Sequence, residues 1–295
     1  MKFSVWPSYN RSWDETITLA RFAETNGFDG FWYADHLMPY TEDGAPDQGD
    51  AHECWTVLAA VGALVPRLRL VSMVSPVSIH HPVLLTKRAI SVDHVSGGRA
   101  VLGLGAGWQE NEHSSYGFPL LDPGPRVSRF EEAIQIVRGL RDQPSTTLHG
   151  THYSVTDAPC SPKPVGPLPL LVGTGSLRML RLTARWADEW NTWGGPDEVA
   201  VRLQRFQDAC DAVGRDPDTM RRSVQALVFL GDPDPAAPAA RTVSGTPQQL
   251  VDQLNRYVEM GVHEFAILDD PLGDTPAERM DNLDRFHAEV MPHVG

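Results

Sequence analysis

Adjacent acidic and imidazole side chains at Asp35 and His36 are the most suggestive pair of chemical groups in the sequence. They follow the apolar segment FDGFWY, which has the composition of a short buried strand. A histidine exchanges protons near neutral pH, and a carboxylate can orient the imidazole or bind atoms of a cofactor. The pair therefore predicts a site of proton transfer, and the alternative is a histidine hydrogen-bonded within the rim of the fold.

A second candidate site is the segment VGTGSLRML, which predicts a strand, a turn and the start of a helix. Gly173 and Gly175 would let backbone N–H groups approach an anion, and the following helix would point its positive end at the same place. Ser176 could add a hydroxyl donor, and Arg178 a charge. The pattern is also that of an ordinary strand-to-helix turn.

The glycine run GLGAGW, residues 103–108, begins like a dinucleotide-binding loop but does not complete one. The G-x-G-x-x-G fingerprint needs a glycine where Trp108 stands, and a helix where a long loop is predicted. Phosphate binding is therefore assigned to residues 173–176 rather than to this run.

Metal and hydrolase sites have little support in the sequence. His80 and His81 precede Pro82 without a partner four residues on, which favours a helix cap over metal binding. No H-E-x-x-H, C-x-x-C or G-x-S-x-G motif occurs, and the three cysteines are far apart. We predict neither a metal site nor a disulfide framework.

The composition narrows the possible partners. With 25 basic and 38 acidic side chains the formal charge is −13, so no overall basic field attracts nucleic acid or an anionic membrane. The first residues lack the apolar core of a signal peptide, and no apolar run approaches membrane-spanning length. We expect a cytoplasmic protein that acts on a small molecule.

The elements that must position these residues alternate regularly between strands and helices. Eight such alternations in 295 residues fit a (β/α)8 barrel, in one domain over 1–295, better than a doubly wound sheet. Active sites of such barrels lie at the carboxyl ends of the strands, where Asp35, His36 and the turn at 173–176 would all fall. Three insertions at this face are predicted as a long loop at 108–125, an extended excursion at 143–167 and a mobile loop at 232–245.

The order and spacing of several segments resemble a known family. AETNGFDGFWYADH, SPVSIHHPVLLTKRAISVDHVSGGRAVLGLGAGWQENE, YGFP and GTGS followed by ADEWN are together similar to the luciferase-like flavin or deazaflavin oxidoreductases. The similarity is greatest to the branch that uses coenzyme F420, a deazaflavin carrying a phosphate and an oligoglutamate tail. It covers nearly the whole chain.

The resemblance implies a role for each matching residue. Asp35 would contact the deazaflavin and His36 would transfer a proton near the reacting carbon. Ser72 and Met73 match the place of a non-proline cis peptide bulge behind the ring, and Asn111 a polar position at the ring edge. Gly173, Thr174, Gly175 and Ser176 match the phosphate-binding turn. The glycines of residues 103–107 would leave the end of the strand without side chains, so that a flat ring could lie close to its backbone.

The substrate pocket is expected to be walled by aromatic residues, namely Trp6, Trp108 and Trp193. Sugar-phosphate dehydrogenases of this group carry a glutamate where Trp108 stands, which favours a less polar substrate. The resemblance thus predicts an F420-dependent oxidoreductase that moves a hydride between the deazaflavin C5 and a small organic molecule. Arg178, Arg181 and Arg185 recur on one helix face, where they would either meet the acidic tail or be solvated.

Two other functions remain open at this point. One is an FMN-dependent monooxygenase that uses reduced flavin and O2, supplied by a separate reductase. The other is a flavin-binding barrel without catalytic activity. By analogy with the family, the protein is expected to be a homodimer.

Overall fold

The computed structural model describes residues 1–295, which form twelve strands and nine helices. The strands are β1 (Lys2–Trp6), β2 (Gly30–Tyr33), β3 (Arg69–Ser72), β4 (Ser75–Pro76), β5 (Ala100–Gly105), β6 (Ser145–His149), β7 (Ser154–Pro159), β8 (Leu170–Gly173), β9 (Glu189–Trp193), β10 (Arg221–Leu230), β11 (Thr242–Gly245) and β12 (Glu264–Leu268). The helices are α1 (Trp13–Thr25), α2 (Cys54–Leu64), α3 (Pro82–Ser96), α4 (Glu110–Tyr116), α5 (Pro123–Asp142), α6 (Leu177–Trp186), α7 (Pro196–Asp211), α8 (Pro247–Glu259) and α9 (Pro276–Glu289). No helix is both long and apolar enough to cross a membrane.

Eight of these strands close into a parallel barrel in the order β1, β2, β3, β5, β8, β9, β10 and β12. Closure is complete because β1 pairs with β12 on one side and with β2 on the other. The predicted (β/α)8 barrel is confirmed. Side chains alternate along each strand: on β10, Val224 packs among the helices, whereas Ser223 and Gln225 contact Asn191 inside the barrel.

Capping residues explain where several helices begin. Ser12, Thr246 and Thr275 each accept a hydrogen bond from the backbone three residues on, and the glutamate or glutamine there returns one. Such boxes satisfy two of the backbone donors that a helix start leaves free. His81 caps α3 through its ring Nδ1, as predicted from its place before Pro82.

Two of the three predicted insertions contain more structure than expected. Residues 108–125 were predicted as loop, but they hold the seven-residue α4, which ends at Gly117 with φ +74°, and the first turn of α5. Residues 232–245 include β11, which pairs in parallel with β10. Both elements are too short to give a periodic hydrophobic signal. The excursion at 143–167 holds the antiparallel hairpin β6–β7, in agreement with the extended structure predicted there.

A bulge between β3 and β4 explains the glycine run on β5. The non-proline cis peptide joins Met73 to Val74, one residue beyond the predicted Ser72–Met73 position. A Cβ atom added to Gly105 would lie 2.6 Å from Val74 Cγ2, and one on Gly103 would overlap the carbonyl oxygen of Ser72. The prediction that these glycines clear space for a flat ring is therefore wrong, because the bulge itself fills that space.

Candidate active site at the carboxyl ends of the strands

His36 lies just beyond β2 at the mouth of the barrel, and its partner is Glu112 rather than Asp35. Its Nδ1 atom is 3.0 Å from Glu112 Oε1, and the other carboxylate oxygen accepts the N–H of Leu37 at 2.8 Å. The side chain of Glu112 is only 1% exposed. The carboxylate that contacts His36 thus comes from α4, in a segment predicted as a loop.

Four side chains of α4 and its N-cap residue hold the loop that carries His36: Gln109, Asn111, Glu112 and Tyr116. Besides Glu112, Gln109 Nε2 donates to Met38 O and Asn111 Nδ2 donates to Pro39 O, at 2.9 and 2.8 Å. Tyr116 OH donates to Leu37 O at 3.2 Å. The polar residues after the glycine run therefore fix the backbone at residues 37–39. The amide nitrogen of Asn111, predicted to meet a ring edge, is used in this way, while its Oδ1 atom is buried without a hydrogen-bond partner.

Asp35 faces a different neighbour. Its Oδ2 atom lies 3.0 Å from His80 Nε2, and the carboxylate is 2% exposed. Burial raises the pKa of Asp35, but His80 and a hydrogen bond from Ser75 outweigh that effect, so the pKa lies below its usual range. On its far side His80 Nδ1 is 3.1 Å from Arg88. The proposed orientation of His36 by Asp35 is wrong, because the Asp35 carboxylate is paired elsewhere.

Aromatic rings surround the mouth in two groups. Trp6 and Trp193 lie 5.7 Å apart between ring centroids, with Arg241 5.9 Å from the Trp193 ring. Trp108 is 55% exposed and meets the ring of His36 edge-on at 5.5 Å. All three predicted pocket tryptophans therefore lie at or just beyond the carboxyl ends of strands.

The turn at residues 173–176 precedes α6, whose first residues have no side-chain cap. Ser176 is the N-cap residue and makes no capping hydrogen bond, so its side chain satisfies none of the backbone donors of the first turn. A Cβ on Gly175 would lie 3.4 Å from Arg202 Nη1, which brings a guanidinium to this turn from α7. A helix N-terminus beside a cation is suited to an anion.

The arginines of α6 lie away from this turn. Arg178 donates to Gly124 O and Ser128 Oγ on α5 at 3.0 and 2.9 Å, and half of its side chain is exposed. Arg181 and Arg185 are exposed to solvent. The face they share is thus a solvated surface that is partly tied to α5.

Inside the upper barrel, two amides have buried atoms without partners. Asn191 donates to Gln225 Oε1 at 2.5 Å, but Asn191 Oδ1 and Gln225 Nε2 make no hydrogen bond. Ser72, by contrast, is satisfied through Gly103, and Met73 lies beside Gly173. An unpaired acceptor and donor at a barrel mouth fit a polar heteroaromatic ring that offers both. Together with the turn at 173–176, they fit a ring that carries a phosphate.

Five residues of this site were not predicted as site residues from the sequence. Glu112 had a detectable signal as a charge in a polar cluster after a strand, and Asn191 and Gln225 had one as polar residues within or at the end of apolar strands. Arg202 and Arg241 had none, because they come from a helix and a loop distant in sequence from the turn and the tryptophans they approach.

Comparison with known proteins agrees with this architecture. An F420-dependent glucose-6-phosphate dehydrogenase of Beutenbergia cavernae is 29% identical, over 95% of this chain and 93% of its own. An uncharacterized protein of Mycobacterium tuberculosis is 31% identical over 81% of this chain and 90% of its own.

Solved structures share the fold at lower sequence identity. The coenzyme F420-dependent tetrahydromethanopterin reductase of Methanopyrus kandleri superposes with a TM-score of 0.82 at 15% identity, covering 100% of this chain and 99% of its own. A monooxygenase, RslO1 of Streptomyces bottropensis, gives 0.82 at 19% identity, covering 99% of each chain. The sequence model of the luciferase-like monooxygenase family matches residues 1–241. The resemblance found in the sequence is confirmed, and the chain belongs to the luciferase-like monooxygenase family of oxidoreductase enzymes.

Proposed function

We propose that the protein is an F420-dependent oxidoreductase that transfers a hydride between the deazaflavin C5 and a small organic substrate. The observation that carries the proposal is His36, fixed by a buried carboxylate at the barrel mouth, on the same rim as the uncapped start of α6. Relatives named for F420 dependence support the choice of cofactor, both in sequence and in fold.

The residues that would hold the cofactor surround the mouth. The backbone of residues 173–176 and the guanidinium of Arg202 would bind its phosphate, and the unpaired atoms of Asn191 and Gln225 would meet polar atoms of its ring. The other contacts proposed from the family match are Asp35, Ser72, Met73 and Asn111. Asp35 and Ser72 are buried and paired within the protein, so they act mainly by shaping the wall.

His36 would handle the proton of the reaction. Bound F420 supplies a carbon that accepts or returns a hydride. With Nδ1 held by Glu112, the Nε2 atom of His36 is the nitrogen that remains to exchange a proton with the substrate. Trp108 and Tyr9 pack against the imidazole at 5.5 and 5.3 Å and restrict its position.

The substrate would lie between the two aromatic groups. Trp6, Trp193 and Trp108 favour an apolar body, in line with the predicted substrate other than a sugar phosphate. Arg241 above Trp193 nevertheless offers a cation for an anionic group. Glucose 6-phosphate therefore belongs in the first substrate panel, beside secondary alcohols and unsaturated carbonyl compounds.

A titration with F420 and FMN tests the cofactor. We expect F420 to quench tryptophan fluorescence at micromolar concentrations and to raise the unfolding temperature, since a ligand at 100 times its Kd adds about 2.7 kcal/mol. Binding of FMN alone would contradict the proposal and favour the FMN-dependent monooxygenase, since structural neighbours are named monooxygenases. Binding of F420 without turnover of the reduced cofactor by any substrate would favour a non-catalytic binding barrel.

The homodimer is proposed by analogy with the family, and α2 and α3 offer the candidate contact surface. Leu64, Leu84 and Val95 are each about half exposed there, and α2 carries no charged residue. A dimer would cover these apolar side chains. Sedimentation velocity should give a dimer that Leu84→Glu dissociates. A separate reductase that restores the cofactor would complete the reaction cycle.

A further inference from the structure

We infer that Glu112 is a positioning residue that decides which nitrogen of His36 exchanges the proton. This inference rests on the proposed function, because it specifies how His36 acts. The inference is based on the contact between the buried carboxylate of Glu112 on α4 and the imidazole of His36 after β2, which was not predicted from the sequence.

The hydrogen bonds of Glu112 are compatible with only one neutral tautomer of His36. Both carboxylate oxygens are used, one by His36 Nδ1 at 3.0 Å and the other by the N–H of Leu37 at 2.8 Å. An ionised carboxylate only accepts hydrogen bonds, so Nδ1 must carry its hydrogen. In neutral His36 the lone pair then lies on Nε2, which makes Nε2 the base.

The surroundings of His36 contain few other groups that could fix the ring. The Tyr9 ring lies 5.3 Å away, with its hydroxyl accepting from Tyr40 N, and Trp108 contacts the imidazole edge-on. Asp35 is adjacent in sequence, but its carboxylate lies against His80. Glu112 is thus the charged group that contacts a ring nitrogen of His36.

The same carboxylate would balance the charge that forms during reaction. For a substrate with a hydroxyl group, the O–H proton would pass to Nε2, the hydride on the same carbon would pass to the C5 atom of oxidised F420, and the C–O bond would become a carbonyl. Positive charge then collects on His36 beside Glu112, in a site where both side chains are largely shielded from water. A fixed, buried charge at hydrogen-bond distance stabilises that state without reorganisation.

The variant Glu112→Gln separates this role from simple support of the loop. A glutamine has one acceptor oxygen, which can keep the Leu37 N–H bond and preserve the backbone. Its NH2 group then faces His36 Nδ1, which must become an acceptor, so the ring hydrogen moves to Nε2. The variant keeps the shape of the site, but Nε2 of His36 no longer has a lone pair that can accept a proton.

The first measurement needs no cofactor. Long-range ¹H–¹⁵N correlation spectra of ¹⁵N-histidine-labelled protein report which ring nitrogen carries hydrogen, and His36→Gln identifies the signal. We expect the Nδ1–H form in the unchanged protein and in Glu112→Asp, and the Nε2–H form in Glu112→Gln. The same tautomer in the unchanged protein and in Glu112→Gln would overturn the inference, whatever cofactor the protein uses.

The second measurement is the rate with F420. Glu112→Gln should lower kcat about 100-fold or more, with KM and cofactor Kd within a few-fold, and should flatten the rise of kcat/KM with pH. Glu112→Asp should recover part of the rate.

The control is Glu110→Gln, on the exposed face of α4, which should behave like the unchanged protein. Equal rates for Glu112→Gln and Glu110→Gln in a folded, F420-active enzyme would overturn the inference, whereas absence of F420 binding would instead refute the proposed function.

Discussion

The two ends of the barrel differ in how completely their buried polar groups are hydrogen-bonded. At the amino end, Glu264 is fully buried and accepts hydrogen bonds from Arg69 and Arg221, at 2.5 and 2.8 Å, and from Trp32 Nε1 and Ser4 Oγ. At the carboxyl end, Gln225 Nε2 and the side-chain oxygens of three other amides are buried without partners. Those three amides are Gln109, Asn111 and Asn191.

The ion network at the amino end is therefore paired at every carboxylate oxygen except Glu189 Oε2, whereas several amide groups at the carboxyl end have an unpaired buried atom. Arg69 also binds Glu189 Oε1 at 2.6 Å, which joins strands β3, β9, β10 and β12 through one ion network. Glu189 Oε2, at 4.0 Å from Arg221, is its weakest point. Burial raises the pKa of Glu189, whereas Arg69 and Arg221 outweigh burial and lower the pKa of Glu264. The ion network and the proposed site thus lie at opposite ends of the same strands.

The largest expected effect is at the carboxyl end. His36→Ala should lower turnover about 10²- to 10⁴-fold, the usual contribution of a general acid or base, with cofactor affinity within a few-fold. Steady-state kinetics and fluorescence titration measure the two quantities. His293→Ala, at an exposed terminal position, is the matched control. Full turnover by His36→Ala would show that His36 takes no part in the reaction.

A change at the amino end should affect stability instead. Arg69→Ala leaves Glu264 and Glu189 with less compensation in a buried site, which should cost about 3–5 kcal/mol of unfolding free energy. Urea unfolding measures this cost, and the folded fraction should bind cofactor normally. The exposed Arg205→Ala should change the unfolding free energy by less than about 0.5 kcal/mol. Equal stability of the two variants would show that the network contributes nothing.

The turn at residues 173–176 should respond to added volume. Gly175→Val would bring a branched side chain against Arg202 and should weaken cofactor binding about tenfold, or ~1.4 kcal/mol. Isothermal titration gives the affinity. Gly124→Val is a control because no atom lies within 4 Å of its added Cβ. Unchanged affinity in Gly175→Val would reject this turn as the phosphate site.

The smallest effect concerns acid stability. The pKa of Asp35 is lowered in the folded protein, so its ionised form adds stability at neutral pH that is lost as pH falls through that pKa. The difference in unfolding free energy between the unchanged protein and Asp35→Asn should therefore shrink in acid. Urea unfolding from pH 7 to 3 tests this, with the exposed Asp281→Asn as a control. If this difference in unfolding free energy stayed constant from pH 7 to 3, the pKa of Asp35 would not be lowered in the folded protein.

Much of the fold followed from the sequence, because its strands are continuous apolar segments and its helices have clear start signals. The start of a helix at Pro82 is predicted from the proline, and α3 begins at that residue. The site was only partly predictable. Asp35 and His36 are adjacent in sequence, yet their partners, His80 and Glu112, lie 45 and 76 positions further along the chain. Which carboxylate meets which imidazole depends on loop packing, and local sequence does not encode it.

The contact between Val74 and Gly105 has a consequence for any redesign of the pocket. The Val74 side chain, in the bulge between β3 and β4, occupies the space that a side chain on Gly105 of β5 would need, with 2.6 Å between Val74 Cγ2 and a Cβ placed on Gly105. Mutations at the two positions should therefore be epistatic: alanine at 105 is tolerated only when residue 74 is reduced to alanine or glycine. A library that varies either position alone would discard combinations that fold, so the pair should be randomised together.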